Sequence, residues 1–274
     1  MYICFKDGKR KAMTLSYDDG VVQDIRLSEI LKKHGLKCTF NISSGLFLED
    51  ASTRERYYGK MTLEEAVNLY TNSGNEVAVH GEYHKALGRI ASAEATYDVV
   101  KCREGLENIF KYPIRGMAYA YGSYNDDTLD ILKNSGIVYS RTTQSTNNFN
   151  LPANWLELHP TCHHNNPELF NLLDNFLSAD PYPARTMMFY LWGHSYEFDN
   201  DNNWEVIEKF AEIAGGNEDV WYATNIEIYE YVNAYKSLIA TIDDSVIYNP
   251  TTTDVWVFAG NEKVCIKSGE TYRK

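Results

Sequence analysis

Short apolar segments alternate with amphipathic helical patterns through most of this 274-residue chain. The first apolar run covers residues 12–16, and a helical pattern over 24–34 follows it. Further along we expect a helix that begins at the TLEE capping box of residues 62–65, a helix over 126–134, and strands over 137–140 and 156–159. The last such helix covers 226–238. The chain contains about seven such pairs of one strand and one helix. Because no Pro/Gly/Ser-rich linker separates them, the alternation predicts one α/β barrel of parallel strands.

The last 36 residues have a different pattern. From residue 239 onward the apolar positions alternate as in strands, and residues 255–266 are typical of a hairpin that turns at Gly260 and Asn261. We therefore expect two units: a barrel over residues 1–238, and a small β appendage over 239–274 that packs on the barrel.

The charge balance argues against a nucleic-acid partner. The chain has 26 Lys+Arg and 38 Asp+Glu, a net charge of −12, and it has no extended basic cluster to displace phosphate counterions. A signal peptide and an 18-residue apolar stretch are both missing, so we expect no membrane insertion and a cytoplasmic location, unless a signal peptide has been removed. Five cysteines at scattered positions without a CxxC spacing indicate reduced, mostly buried thiols.

Polar residues directly after apolar strands are the candidates for a site, because strand ends converge on one face of a parallel barrel. The SYDDG segment at 16–20 ends the first strand with Asp18 and Asp19. Two adjacent carboxylates can divide the work, one binding a cation and the other accepting a proton. The alternative is a turn in which the aspartates only cap the next helix.

Histidines supply two further candidates. HGEYH at 80–84 spaces His80 and His84 by four residues, which one turn of helix would bring to the same side of a metal. LHPTCHH repeats the spacing with His159 and His163, but Pro160 argues against a continuous helix there. For that second segment a core or substrate-contact role is the better interpretation, and it includes the adjacent histidine, His164.

Two more strand ends carry polar groups. RGMAYAYG at 115–122 places Arg115 before a strand and Tyr121 at its end; an arginine can orient a carboxylate, and a strand-end N–H can face an oxyanion. FYLWGHS at 189–195 places His194 after a buried strand, where it is either a satisfied core histidine or an acid. Trp192 beside it is a candidate substrate contact.

Together these segments resemble the polysaccharide deacetylases of the NodB-homology type, carbohydrate esterase family four. That family's motifs run TFDDG, H-S/T-x-x-H, R-x-P-Y, an Asp/Trp segment and L-x-H, and SYDDG, HGEYH, RGMAYAYG and LWGH occur here in the same order. The resemblance implies a distorted (β/α) barrel of seven or eight strands, NodB-like and related to the TIM barrel.

The resemblance also implies roles. Asp19, His80 and His84 would bind a divalent metal, zinc first, with cobalt, nickel or manganese as alternatives. Asp18 would be the general base and Arg115 its tether. The Tyr121 N–H would stabilise the oxyanion, and His194 would be the general acid.

Three departures from the family pattern stand out. Gly81 replaces the Ser/Thr after the first histidine, and Ala120 replaces the proline before the tyrosine. No aspartate lies between residues 140 and 159 to orient His194, so Glu157 or His159 would have to do so.

The expected function is hydrolysis of an N-acetyl or O-acetyl group on an amino sugar or polysaccharide. Two alternatives stay open: hydrolysis of another C–N amide of the cyclic ureide type, and a barrel that binds carbohydrate without turnover. The expected partner is a carbohydrate; the sequence does not determine the oligomeric state.

Overall fold

The computed structural model describes residues 1–57, 59–71, 73–182, 184–260 and 262–274. Its centre is a curled parallel sheet with the order β6-β5-β4-β3-β2-β8-β7, in which β9 also pairs with β2. The strands of this sheet are β2 (Lys11–Asp18), β3 (Cys38–Ile42), β4 (Glu76–Val79), β5 (Gly116–Ala118), β6 (Tyr139–Arg141), β7 (Cys162–His163), β8 (Met187–Gly193) and β9 (Val220–Tyr222).

The central strand is β2, and all eight of its residues are buried. One edge of β2 pairs with β8 over its first seven residues. The other edge pairs first with β9 and then, from Leu15 onward, with β3. A strand covered on both faces reads as a continuous apolar run, which is why the sequence identifies β2 so clearly.

The two outer strands of the sheet approach each other through one connecting segment. Leu158 forms a parallel bridge with Arg141 at the end of β6, and the following β7 pairs with β8. The sheet is therefore curled almost into a closed barrel, and the predicted distorted (β/α) barrel is confirmed.

Helices cover the sheet between successive strands. They are α1 (Gln23–Lys33), α2 (Leu63–Tyr70), α3 (Ser92–Phe110), α4 (Asp126–Asn134), α5 (Leu169–Ser178), α6 (Glu197–Asn200), α7 (Glu205–Ala214) and α8 (Asn225–Lys236). Thr62 begins α2 with the predicted capping box, in which its hydroxyl accepts from the Glu65 N–H and the Glu65 carboxylate accepts from the Thr62 N–H.

One predicted strand is wrong. Residues 156–159 were expected to be extended, but Trp155–Glu157 forms a short 3-10 turn, and the strand of this region comes later, as β7. Asn154 favours the turn because its side chain accepts the N–H of Leu156. Pro160 has no N–H to donate to a neighbouring strand.

The C-terminal residues form two small antiparallel sheets, β1-β12-β13 and β10-β11-β14. The strands are β1 (Tyr2–Ile3), β10 (Ile239–Ala240), β11 (Val246–Tyr248), β12 (Val255–Ala259), β13 (Glu262–Ile266) and β14 (Thr271–Arg273). The predicted hairpin is present as β12 and β13, although Asn261 in its turn lies outside the described residues. Because β1 pairs with β12, the first residues of the chain share a sheet with the tail. The boundary between 238 and 239 stays a prediction.

Two smaller expectations concern thiols and membranes. All five cysteines are free and four of them are buried, as predicted. Among the described residues, no helix is both long enough and apolar enough to span a bilayer.

Candidate active site

The end of β2 brings two carboxylates to one end of the sheet. Asp18 is the last residue of the strand and is almost fully buried. The chain then turns sharply, with φ of 85° at Asp19 and 62° at Gly20. This turn points the two neighbouring carboxylates into different surroundings.

Asp18 is held by groups from four other strands or their ends. Its Oδ1 accepts from Asn41 Nδ2 at 2.8 Å, and its Oδ2 forms a buried ion pair with the guanidinium of Arg141. His80 Nε2 and His194 Nε2 both lie 3.8 Å from Asp18 Oδ2. Burial alone would raise the pKa of Asp18, but Arg141, His80 and His194 together lower it well below its usual range. The carboxylate is therefore ionised at neutral pH.

The expected tether of Asp18 by Arg115 is wrong. Arg115 is only partly buried and pairs with Glu230 far from Asp18, its NH1 lying 3.4 Å from Oε1. The spacing of R-x-P-Y explains the error. The family's arginine lies three residues before the tyrosine, and here that position, 118, is an alanine. In the sheet, Ala118 is the register partner of Arg141 on β6. The guanidinium thus reaches Asp18 from the next strand. Sequence inspection could have found Arg141, because it directly follows the expected strand 137–140.

His80 and His84 come together in a loop rather than on the expected helical turn. Their ring centroids lie 4.7 Å apart in the bend that follows β4. Asp98 of α3 holds this bend by accepting the N–H groups of Glu82 and Tyr83. A Cβ on Gly81, where φ is 79°, would lie 2.4 Å from Asp98 Oδ2. The close approach of Asp98 therefore accounts for glycine in place of the family's Ser/Thr.

The group Asp19, His80 and His84 fits a divalent cation. One ligand atom from each residue lies within 4.8 Å of the others. His80 Nδ1 lies 2.9 Å from the carbonyl oxygen of Ala118, an acceptor that fixes the proton on Nδ1 and leaves the Nε2 lone pair facing the carboxylates. A metal-binding histidine needs this tautomer and usually has such a partner. Burial lowers the pKa of His80 to about 4, so its ring is neutral, as a ligand must be.

Lys60 is a further cation at Asp19. Its Nζ lies 3.1 Å from Asp19 Oδ1 and donates to the Asp19 carbonyl oxygen at 2.6 Å. Burial would raise the pKa of Asp19, but Lys60, His80 and His84 together lower it. Asp19 is therefore ionised and available to a metal ion.

The partner of His194 is Glu197, which the sequence analysis did not identify. Glu197 begins α6, and its Oε2 accepts the backbone N–H of His194 at 3.0 Å and lies 3.3 Å from His194 Nδ1. Burial alone would lower the pKa of His194, but Glu197 and Asp18 raise it above its ordinary value. The sequence signal that could have identified Glu197 is its position three residues after a strand-end histidine, where a helix begins.

The two residues proposed to orient His194 bind elsewhere. Glu157 accepts from Tyr124 Oη at 3.1 Å. His159 Nδ1 lies 2.6 Å from Thr142 Oγ1. His163 and His164 instead lie beside Glu197, each with its Nε2 at 3.2 Å from Oε2. Trp192 is nearly buried, and the Arg141 guanidinium lies over its ring at 4.2 Å.

A cavity of about 550 Å³ opens in front of Asp19 and His84. Its lining includes three tyrosines, Tyr83, Tyr121 and Tyr196. Tyr121 is largely exposed and has a φ of 58°, and its ring meets that of His84 edge to face at a centroid distance of 4.5 Å. The size is within the usual range for a small-ligand site, and tyrosine rings offer both apolar faces and hydroxyl groups.

Residues 5–140, which carry the first three of the four matched segments, match the family model described as Polysaccharide deacetylase. The chain belongs to the polysaccharide deacetylase family. The resemblance that the motif order suggested is therefore confirmed, and membership classes the chain among the deacetylase enzymes.

Two solved structures share the fold of this chain, and a third aligns with about half of it. A candidate polysaccharide deacetylase from Mycobacterium smegmatis superposes with a TM-score of 0.62 at 18% identity, covering 86% of this chain and 94% of that one. The peptidoglycan deacetylase PdaC from Bacillus subtilis gives 0.50 at 18% identity, covering 83% and 94%. The deacetylase PplD from Streptococcus pyogenes, in complex with acetate, gives 0.44 at 23% identity, covering 53% of this chain and 61% of that one.

No curated protein matches this sequence significantly. At 18% identity, the Mycobacterium smegmatis and Bacillus subtilis structures support the fold of this chain.

Proposed function

We propose that the chain hydrolyses the acetyl amide of an N-acetylated amino sugar or oligosaccharide, in a reaction that depends on a divalent metal. Family membership supports deacetylation in general. The metal dependence, the substrate and the individual roles rest on the geometry of the residues around Asp18.

The observation that carries the proposal is the position of Asp18 between two histidines. His80 Nε2 lies 3.8 Å from Asp18 Oδ2 on the side of the metal-binding group, and His194 Nε2 lies 3.8 Å from the same oxygen. A base, an acid and a cation site that converge in this way are what hydrolysis of an unactivated amide requires.

Asp19, His80 and His84 would hold the cation. Two imidazoles and one carboxylate form a common open site for zinc and similar metals. When bound, such an ion supplies Lewis-acid polarisation of the acetyl carbonyl and lowers the pKa of water.

Asp18 acts as the general base, taking the proton of the water that attacks the acetyl carbon. Its Oδ1 accepts from Asn41 and its Oδ2 pairs with Arg141. These contacts keep the carboxylate ionised and fix its orientation. Arg141 therefore acts as a positioning residue, in the role first expected of Arg115.

His194 donates a proton to the leaving nitrogen. An amine is a poor leaving group unless it is protonated, whereas an alcohol needs less assistance, so an acid at this place favours an N-acetyl over an O-acetyl substrate. Because Glu197 and Asp18 raise the pKa of His194, the imidazolium form persists nearer to neutral pH.

The substrate would lie in the cavity in front of Asp19. Tyr83, Tyr121 and Tyr196 line it and suit the mixed apolar and polar faces of a sugar ring. The N–H of Tyr121 remains our candidate donor to the oxyanion, and His159 and Trp192 remain candidate substrate contacts. His163 and His164, which were also expected to contact substrate, lie against Glu197 instead.

The binding-only alternative loses its main support. It rested on the missing partner for His194 and on the abundance of tyrosine, and Glu197 now lies 3.3 Å from the His194 ring. Retention of both Asp18 and Asp19 likewise favours the deacetylase over hydrolysis of a cyclic ureide.

The test is release of acetate by the zinc-loaded protein from N-acetylglucosamine oligomers, with acetylated xylan as the O-acetyl comparison. Asp18→Asn should abolish release, and removal of metal by a chelator should do so reversibly. Asp174→Asn, an exposed carboxylate on α5, is the matched control and should retain full activity. Absence of acetate release from every acetylated sugar, by protein that holds its metal, would contradict the proposal.

A further inference from the structure

Three imidazoles converge on one carboxylate oxygen outside the metal-binding group described above. Glu197 Oε2 lies 3.2 Å from His163 Nε2, 3.2 Å from His164 Nε2 and 3.3 Å from His194 Nδ1. It also accepts the backbone N–H of His194 at 3.0 Å. A single oxygen has too few lone pairs to accept good hydrogen bonds from all four groups.

Two of these ring nitrogens, His164 Nε2 and His194 Nδ1, make no hydrogen bond of good geometry with a described residue, and His164 is the more deeply buried of the two. The residue is 1% exposed, and its Nε2, which faces Glu197, has no hydrogen-bond partner among the described residues. The ring is held firmly: it stacks on Phe198 at a centroid distance of 4.2 Å, and its Nδ1 lies 3.3 Å from Tyr17 Oη. A buried nitrogen without a partner is costly, so a ligand is the natural explanation.

The backbone makes room for this ring. A Cβ on Gly193 would lie 2.1 Å from His164 Nδ1, so only glycine allows His164 to lie against the end of β8. Tyr17 Oη can accept a hydrogen bond from His164 Nδ1–H, which leaves the Nε2 lone pair directed at Glu197. This is the tautomer that metal coordination by Nε2 requires.

We propose that His163, His164 and Glu197 form a second binding site for a divalent transition metal such as zinc. Bonds of about 2.1 Å in a tetrahedral site place neighbouring ligand atoms about 3.4 Å apart. The two Nε2 to Oε2 distances of 3.2 Å are close to this value. Two imidazoles and a carboxylate also match the donor set of the first group.

Binding requires one rearrangement. His163 Nδ1 accepts the N–H of Asn165 at 3.1 Å, so the neutral ring carries its proton on Nε2. A cation at Nε2 moves that proton to Nδ1 and breaks the contact with Asn165. The side chains of His163 and Glu197 are partly exposed, which leaves a path for the ion. Without a metal, His163 Nε2–H simply donates to Glu197.

Metal stoichiometry distinguishes a second metal site from a simple hydrogen bond between His163 and Glu197. Metal-free protein is dialysed to equilibrium against Zn²⁺, and bound zinc is measured per chain; Co²⁺ spectra report the ligand geometry. The wild type should bind two ions, with His84→Ala, which removes a ligand of the first group, and His163→Ala each binding one. His159→Gln, a neighbouring histidine paired with Thr142, is the matched control and should still bind two.

The outcomes are separable from those of the proposed function. If the wild type binds one ion, kept by His163→Ala and lost by His84→Ala, the second site is wrong. If the wild type binds one ion that His84→Ala keeps and His163→Ala loses, the second site stands and the first metal-binding group fails. Retention of two ions by both His163→Ala and Glu197→Gln also overturns the second site. Glu197→Gln removes a different ligand of the same site, so it controls for a loss of metal that is caused only by misfolding of the His163→Ala variant.

Discussion

Arg141 and Asp18 form a fully buried ion pair between the ends of β6 and β2. In the sheet, β5, β4 and β3 lie between β6 and β2. The long arginine side chain therefore reaches Asp18 across the end of the curled sheet. The ion pair therefore links the curvature of the sheet directly to the candidate general base.

Arg141→Met should destabilise the protein and abolish most of its activity. Removing one partner of a buried pair leaves an uncompensated charge, which costs about 3 to 5 kcal/mol of unfolding free energy. Denaturant unfolding measures the loss. Arg115→Met, which removes an exposed pair with Glu230, should cost less than about 1 kcal/mol and serves as the control. Equal costs for the two variants would contradict the assignment of Arg141.

Glu197→Gln should move the alkaline limb of the pH–rate profile to lower pH. His194 must be protonated to act as an acid, and Glu197 helps to raise its pKa. With the carboxylate neutralised, the imidazolium loses its proton at lower pH and the rate falls earlier. The measurement is kcat/KM against pH at one equivalent of zinc. Glu157→Gln, whose carboxylate contacts Tyr124 instead, should leave the profile unchanged.

Gly81→Ala should weaken both folding and metal binding. The substitution places a Cβ at positive φ, which costs about 1 to 2 kcal/mol, and it also drives that Cβ towards Asp98. Gly74→Ala separates the two effects, because Gly74 has a φ of 78° with nothing within 4 Å of the added Cβ. We expect the Gly81 variant to lose clearly more unfolding free energy than the Gly74 variant. Only the Gly81 variant should bind zinc more weakly.

Asp24→Asn should flatten the dependence of stability on pH. Asp24 is buried, and burial raises its pKa from 3.8 to about 7 despite hydrogen bonds from Ser195 and Tyr70. The folded state then keeps a proton that the unfolded state loses above pH 4. Raising the pH from 4 to above 7 therefore destabilises the wild type, by at most about 4 kcal/mol.

The melting temperature measures this difference. Relative to Asp24→Asn, the Tm of the wild type should fall by several degrees between pH 5 and pH 8. Asp174→Asn, at an exposed position, should follow the wild type. Parallel curves for the wild type and Asp24→Asn would show that Asp24 titrates normally.

Much of the fold was predictable from local sequence. Helix α4 was predicted at its observed bounds, 126–134, and the capping box at Thr62 marked the start of α2. Both signals lie within a few neighbouring residues. The strand expected at 156–159 was wrong because the turn at Asn154 depends on a side-chain hydrogen bond that an apolar pattern does not reveal.

The candidate site was predictable where one segment carried it. Asp18 and Asp19 lie together at the end of one strand. The HGEYH spacing indicated His80 and His84, although a bend held by Asp98, rather than a helix, brings them together.

By itself, the sequence determined the alternation of strands and helices, the order of the motifs and the residues at the strand ends, since each depends on short-range pattern. Only the tertiary structure decided that Arg141 rather than Arg115 pairs with Asp18, and that Glu197 faces His194. The first choice depends on the curvature and register of the sheet, and the second on the turn that joins β8 to α6. Contacts between residues on different strands depend on the register and curvature of the whole sheet, which a short sequence motif does not specify.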